Sequence, residues 1–265
     1  MDCPNLLGLP FLPALKELHV EGKCSWELLS SIDKLHNLES LYLGDNEEVS
    51  CFPDDMLSNL TSLKKLSIWN HSKLKLLQIE TINPSSIQIL CIWHCENLES
   101  LKDEALQGLH SLEHLEILKC PKFNLSAGFR YLTCLEYLEV GNFSDMSGLQ
   151  EALQHMTALQ SIALRSLPNL TSLPDCLGNL GLLQRLDIIA CPNLMCLPTT
   201  IQCLSGLQRL QIHGCPELEN RCRKETWEDW PKIAHVKRFI NGISFGPRGS
   251  ISADSAPILS KEGLS

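Results

Sequence analysis

Aromatic residues make up only 6% of this 265-residue chain, and its 22 basic residues are outnumbered by 31 acidic ones. A net charge of −9 argues against a nucleic-acid binder, which needs a basic face for phosphate contacts. No run approaches the roughly 18 apolar residues that a membrane span requires. No Cys-x-x-Cys pair occurs, and the cysteine count of thirteen is odd, so a closed disulfide framework is excluded. With aromatics scarce, the 44% hydrophobic content must come from aliphatic residues. About one residue in five is leucine. An excess of one aliphatic residue calls for a search for repeats, and it also rules out disorder for most of the chain.

A repeat is present. Its clearest unit runs Leu180, Leu183, Leu186, Ile188, Cys191, Leu194, Leu197-Pro198 and Ile201, with Leu204 opening the next unit 24 residues on. The third leucine-type position recurs at Leu18, Leu41, Leu66, Leu90, Leu115, Leu138, Ile162, Leu186 and Leu210, with gaps of 23, 25, 24, 25, 23, 24, 24 and 24. This is the leucine-rich repeat, and the fold class it predicts is an α/β repeat solenoid. Such a horseshoe has a parallel β-sheet on its concave side and irregular, 3₁₀ or short-helix segments on its convex side. The Leu-x-Leu core alternates inward and outward residues and so reads as a strand. The following Leu-x-x-Leu-Pro-x-x-Ile spacing suits one turn of 3₁₀ or α-helix. Pro53, Pro174 and Pro198 are placed to start that return.

The cysteines belong to the same pattern. Cys95, Cys120, Cys191 and Cys215 each follow the last strand aliphatic by three residues, and Asn46 holds that place in the second unit. There the chain leaves the strand with backbone groups to satisfy, and a small polar side chain can bond the neighbouring rung. Such a ladder works with free thiols, which points to a reducing cytoplasmic or nuclear compartment.

The organisation expected along the chain follows. Residues 1–11 match the second half of a unit, as though the chain began inside a repeat of something longer, and residues 12–219 hold nine units. The least regular stretch surrounds Phe143–Leu153. Residues 220–240 read as a C-terminal cap and 241–265 as a disordered tail rich in Gly, Ser and Pro. Residues 1–219 carry a balance of −12 and residues 220–265 a balance of +3.

The Cys-Pro-x-Leu turns at Cys3, Cys191 and Cys215, with the Leu-Pro returns at Leu173-Pro174 and Leu197-Pro198, resemble the cytoplasmic leucine-rich repeats of plant disease-resistance receptors. The end is more specific. Cys215-Pro216-Glu217-Leu218-Glu219, Arg221-Cys222 and Glu228-Asp229-Trp230-Pro231-Lys232-Ile233-Ala234-His235 resemble the C-terminus of coiled-coil nucleotide-binding leucine-rich-repeat resistance proteins. The resemblance covers roughly residues 1–240. It implies a plant defence role, with protein partners that are a pathogen effector, a guarded host protein, or the nucleotide-binding domain of a full-length relative. The P-loop GxxxxGK[ST] and the coiled coil of that family are missing, so nucleotide binding is not carried over. A stand-alone adaptor, such as a ubiquitin-ligase substrate receptor, is the alternative.

Catalytic signatures are weak, and the expectation is a non-enzyme without cofactor or metal. Gly242-Ile243-Ser244-Phe245-Gly246 fits GxSxG but falls in the expected tail instead of on a strand–turn–helix elbow. Cys91, His94 and Cys95 fall short of the four ligands of a closed zinc site. His110 and His114 are separated by Ser-Leu-Glu, which is not a zincin spacing. Five Asn-x-Ser/Thr sequons, at Asn59, Asn70, Asn124, Asn142 and Asn169, are expected to stay unmodified in a reducing compartment. The concave face is the expected partner-binding surface. Trp69, Trp93 and Leu118 fall on consecutive rungs as an apolar patch. Tyr42 and Tyr137 flank it, and Arg165, Arg185 and Arg209 form a basic cluster beyond it.

Overall fold

The computed structural model describes residues 6–77, 86–143, 145–223, 228–240 and 243–245. Nine five-residue strands stand where the repeat places them: β1 (Glu17–Glu21), β2 (Ser40–Gly44), β3 (Lys65–Trp69), β5 (Ile89–Trp93), β7 (His114–Leu118), β8 (Tyr137–Gly141), β9 (Ser161–Arg165), β10 (Arg185–Ile189) and β11 (Arg209–His213). All nine pair in parallel. The register runs Leu18, Leu41, Leu66, Leu90, Leu115, Leu138, Ile162, Leu186, Leu210 with no slip. The chain forms a leucine-rich-repeat solenoid.

The register is sharp because one face is fully apolar, and a slip of one residue would turn that face outward. Entry to each strand repeats too. The carbonyls of Lys16, Glu39, Lys64, Gln88, Glu113, Glu136, Gln160 and Gln184 each accept two successive N–H groups from the next rung, at 2.8 to 3.1 Å. Two minor strands, β4 (Leu76–Leu77) and β6 (Ser100–Leu101), pair by themselves on the way back.

The return segments use the expected short helices. These are α1 (Trp26–Ser30), α2 (Asp103–Gly108), α3 (Leu149–Leu153) and 3₁₀ turns at Ala127–Tyr131, Asp175–Asn179 and Thr199–Cys203. Pro174 and Pro198 stand directly before the last two with extended backbone, at ψ 146° and 151°, and the Pro53 carbonyl accepts the Met56 N–H at 3.1 Å. The irregular stretch around Phe143 is filled by aromatics. Phe123 meets both Phe129 and Phe143 edge-on, with centroids 6.2 and 5.8 Å apart.

Each strand leaves through a left-handed residue. Gly22, Asp45, Asn70, His94, Lys119, Asn142, Ser166, Ala190 and Gly214 all have φ between 50° and 81°. The N–H groups of the first eight donate to the next rung's carbonyl at 2.7 to 3.2 Å. Only two of these positions are glycine, so the others carry the steric cost of that region in exchange for a ladder hydrogen bond.

The position after that exit is the thiol ladder. Cys95, Cys120, Cys191, Cys215 and Asn46 are all buried there. His71, Phe143 and Leu167 fill the same column in other units. Asn46 bonds the earlier rung through the Gly22 carbonyl at 3.1 Å. Cys191 N–H donates to the Cys215 sulfur at 3.4 Å. The thiols donate to their own strand's carbonyl two residues back, as from Cys95 to Trp93 at 3.5 Å and Cys120 to Leu118 at 3.4 Å, and two also reach the preceding rung, Cys191 to the Leu164 carbonyl at 3.9 Å and Cys215 to the Ile188 carbonyl at 3.7 Å. The stronger cross-rung bonds come from asparagines two residues further on, Asn97 to the Ser72 carbonyl at 2.6 Å and Asn193 to the Pro168 carbonyl at 2.8 Å.

The C-terminal segment adds to the sheet. α4 (Pro216–Arg223) is capped by Glu219, which accepts from the Cys215 N–H at 3.0 Å. β12 (Lys237–Ile240) then pairs in parallel with β11, and β13 (Ile243–Phe245) pairs antiparallel with β12. Residues 243–245 are therefore paired where the sequence suggested a disordered tail. Backbone pairing at a sheet edge can order a stretch whose own composition carries little apolar drive. The remainder of that tail, and residues 1–5, lie outside the described residues. In β12, Arg238 takes the inward place that leucine or, on β9, isoleucine holds in the other rungs. It is fully buried, stacked 3.6 Å from the Trp230 ring centroid, and it donates to the Ile233 carbonyl at 2.7 Å. Buried Asp229 ties the segment to the stack. It accepts from Leu197 N–H at 3.1 Å, Arg221 Nε at 3.0 Å and Lys232 Nζ at 2.7 Å.

Candidate functional site: the open face of the sheet

The first, third and fifth residues of every strand point away from the core, giving three columns across nine rungs. Trp69, Trp93 and Leu118 are consecutive register partners in the fifth column and are half-buried. The structure thus brings the three together. The Trp69 indole folds over Gly44, its partner on β2, where a Cβ would overlap the ring. Glycine at 44 is a close-approach position that lets the tryptophan lie flat. Trp93 is oriented by a hydrogen bond from Nε1 to Glu116 Oε2 at 3.1 Å.

Tyr42 and Tyr137 each stack on a histidine. Tyr42 lies 4.2 Å from His19 with an 11° tilt, and Lys65 Nζ is 5.2 Å above its ring. Tyr137 lies 4.2 Å from His114 with a 7° tilt. The two tyrosines stand in different columns and on opposite sides of the tryptophans, as the sequence placed them.

The arginines have company that the sequence reading left out. Arg165 Nε donates to Glu139, and the Tyr137 hydroxyl donates to the same carboxylate. Burial first, then that hydrogen bond, pushes the Tyr137 phenol up. Arg209 donates to Gln211 at 2.8 Å. Asp187 sits buried between Arg165, Arg185 and Arg209. Burial holds its carboxyl above the usual range against the pull of Arg209, Arg185 and Arg165, and its Oδ1 has no hydrogen bond. The three arginines are thus part of a mixed-charge network instead of an isolated basic cluster.

The middle column runs His19, Tyr42, Ser67, Cys91, Glu116, Glu139, Ala163, Asp187 and Gln211, and of these only Tyr42 was expected on the partner-binding surface. Three carboxylates on three of its rungs, Glu116, Glu139 and Asp187, were readable from the repeat phase alone. Together with Trp93, His114, Tyr137 and Arg165, two of them, Glu116 and Glu139, make polar links across β5 to β9. Such a surface presents aromatic faces with fixed hydrogen-bonding groups beside them, which is the make-up of a protein-recognition patch.

Among the described residues, the other motifs that the sequence singled out are set apart from one another. Cys91 faces outward while Cys95 is in the core, so the pair flanking His94 does not share a face. Ser244 pairs with Phe239 in an antiparallel ladder and not at an elbow, and Gly242 and Gly246 lie outside the described residues. A depression of about 540 Å³ at the exits of β5, β7 and β8 has polar walls, including Glu96, Lys119, Lys122 and Asn142. Among the described residues, no helix is long and apolar enough to cross a membrane.

No family model matches the sequence. A stretch of 62 residues is 39% identical to the putative disease resistance protein RGA4 of Solanum bulbocastanum. The match spans 23% of this chain and 6% of that protein. Among solved structures, the plant peptide hormone receptor RGFR1, in complex with RGF2, superposes with a TM-score of 0.52 at 19% identity. That match covers 78% of this chain and 35% of the receptor. The complex of latrophilin 3, Unc5D and the leucine-rich repeats of FLRT2 gives 0.50 at 23% identity, covering 74% of this chain and 60% of the other. What these structures share with the chain is the leucine-rich-repeat fold.

Proposed function

We propose that this chain is the protein-recognition module of an intracellular plant immune receptor, and that its partner docks on the sheet face around Trp69, Trp93 and Leu118. The observation that carries the reading is the local identity to a resistance protein. It is joined by the end motif built around Asp229, where every conspicuous residue of Glu228-Asp229-Trp230-Pro231-Lys232 serves the cap. The twelve cysteines of the described residues are free, which supports a reducing compartment. The partner is a pathogen effector, a guarded host protein, or the nucleotide-binding domain of a longer relative, which the module would hold inactive.

In mechanism, the rigid stack fixes the aromatics at register spacing before any partner arrives. Preorganisation lowers the ordering cost of binding. Trp69 and Trp93 supply apolar area, and Glu116, Glu139 and the arginines set orientation and charge complementarity. The test is co-expression in plant cells with the coiled-coil and nucleotide-binding region of a resistance protein. The expected result is co-precipitation and suppression of the cell death that region triggers. Absence of both contradicts the reading, and co-purification with a ubiquitin-ligase adaptor instead favours the adaptor alternative.

A further inference from the structure

The face of β5 and β7 brings together three donors of different chemistry, of which only Glu116 has a part in the recognition surface. Cys91 and Glu116 are register partners, and His114 stands two residues before Glu116 on the same face. The sulfur, an imidazole nitrogen and a carboxylate oxygen all lie within 4.8 Å of one another. Cys91 is only 4% exposed, whereas the His114 and Glu116 side chains are 31% and 19% exposed. The thiol is a buried floor, and the other two form a rim open to the groove.

A second observation points to the same place. Ser67, the register partner of Cys91 on β3, is 1% exposed and its Oγ has no hydrogen bond. The hydroxyl is set beside the Cys91 sulfur, the place of an outer-shell donor to a metal-bound sulfur.

We propose that Cys91, His114 and Glu116 bind a divalent transition-metal ion of the zinc type, with Ser67 supporting the thiolate and a fourth coordination position open to the groove. The donor set argues for this class. Thiolate, imidazole and carboxylate together suit zinc, whereas magnesium and calcium take all-oxygen sites. Bonds of about 2.0–2.3 Å in a tetrahedron place ligand atoms about 3.5 Å apart, so the rim side chains must close by roughly an ångström. Their partial exposure leaves them room to turn. On binding, the Cys91 S–H proton goes to solvent and a sulfur–metal bond forms. His114 gives up its 2.6 Å hydrogen bond to Glu116, its ring proton passes through solvent to Nδ1, and the freed Nε2 lone pair ligates the metal. Thiolate and carboxylate together offset the 2+ charge. Water, or a donor from a docked partner, completes the coordination beside Trp93.

The experiment is a titration of the purified, reduced chain with Co²⁺, followed by competition with Zn²⁺. The expected result is one equivalent bound, with a thiolate-to-cobalt charge-transfer band and tetrahedral d–d absorption, both abolished by zinc. Cys91→Ser should remove the charge-transfer band, and Cys134→Ser, at an exposed thiol, should leave it intact. Ser67→Ala should weaken binding roughly 10–100-fold, as loss of an outer-shell partner does. Because Cys91→Ser could disturb the sheet, His114→Ala and Glu116→Gln on the rim provide independent variants, each expected to lower affinity with unchanged circular dichroism. No band in the wild-type chain, or a full band in Cys91→Ser, overturns the proposal. Neither result depends on the identity of the protein partner.

Discussion

The inward and outward residues of the same strands obey different rules. Inward, nine rungs repeat Leu or Ile in one column and Val, Ile or Leu in the other, with nearly all of them buried. Outward, no two neighbouring rungs carry the same triplet of side chains. The inward columns must be uniform because each rung packs only on its two neighbours, so every unit has to meet the same shape on both sides. The outward columns are released from that requirement and vary from rung to rung. Where the stack ends, the inward rule changes as well. Arg238 replaces leucine, and Asp229 binds Arg221, Lys232 and the Leu197 N–H. An end that faces water needs satisfied polar groups where the interior needs methyl groups.

The largest break in this comparison is expected at the cap. Asp229→Ala leaves Arg221 and Lys232 without their buried acceptor and should cost about 3–5 kcal/mol, read as fast hydrogen exchange confined to α4 and β12. Arg221 and Lys232 also hold the Asp229 carboxyl below the usual range, although its burial works in the opposite direction. Its contribution is therefore complete above the ordinary aspartate pKa of about 3.9 and is lost as pH falls through the lower folded value. Acid unfolding should start at the cap, and Asp229→Asn should remove that acid-sensitive phase.

Leu186→Ala in the inward column should cost about 2–5 kcal/mol and lower the denaturant midpoint of the stack, not of one end alone. Gly44→Ala sits on the outward side and should cost about 1–3 kcal/mol by overpacking, with a change in tryptophan fluorescence as the Trp69 indole is lifted. The smallest effect is expected at the strand exits. Lys119→Gly relieves a left-handed backbone at φ 56° and should raise stability by up to about 1 kcal/mol, the steric relief being partly offset by chain entropy. A loss of stability there would show that the Lys119 side chain matters more than its backbone.

These rules also explain what was legible in the sequence. The inward columns are periodic, so the strands, their register and the Cys191 and Cys215 ladder positions could be read directly. His71, Phe143 and Leu167 hold the same ladder place but share no chemistry with cysteine, and so gave no signal. β12 was hidden because Lys237-Arg238 breaks the leucine pattern, although it pairs with β11, buries Ile240 and stacks Arg238 on Trp230. On the open face, Trp69 and Trp93 stood out as rare residues, whereas Glu116, Glu139 and Asp187 have an outward place set by the repeat phase, and only side-chain geometry shows Glu116 and Glu139 bonding His114, Tyr137 and Arg165.

The central claim is that recognition belongs to the outward columns and stability to the inward ones. It is tested most directly by the Kd of a captured protein partner for three forms of the chain: wild type, the Trp69→Ala/Trp93→Ala pair, and Leu182→Ala. Leu182 is 58% exposed but precedes β10 and lies off the sheet face. The account predicts a loss of at least about 30-fold for the tryptophan pair, the scale of a 2 kcal/mol hot spot, with unchanged thermal unfolding of the fold and no effect of Leu182→Ala. Equal affinity for wild type and the tryptophan pair, or a loss confined to Leu182→Ala, would contradict it.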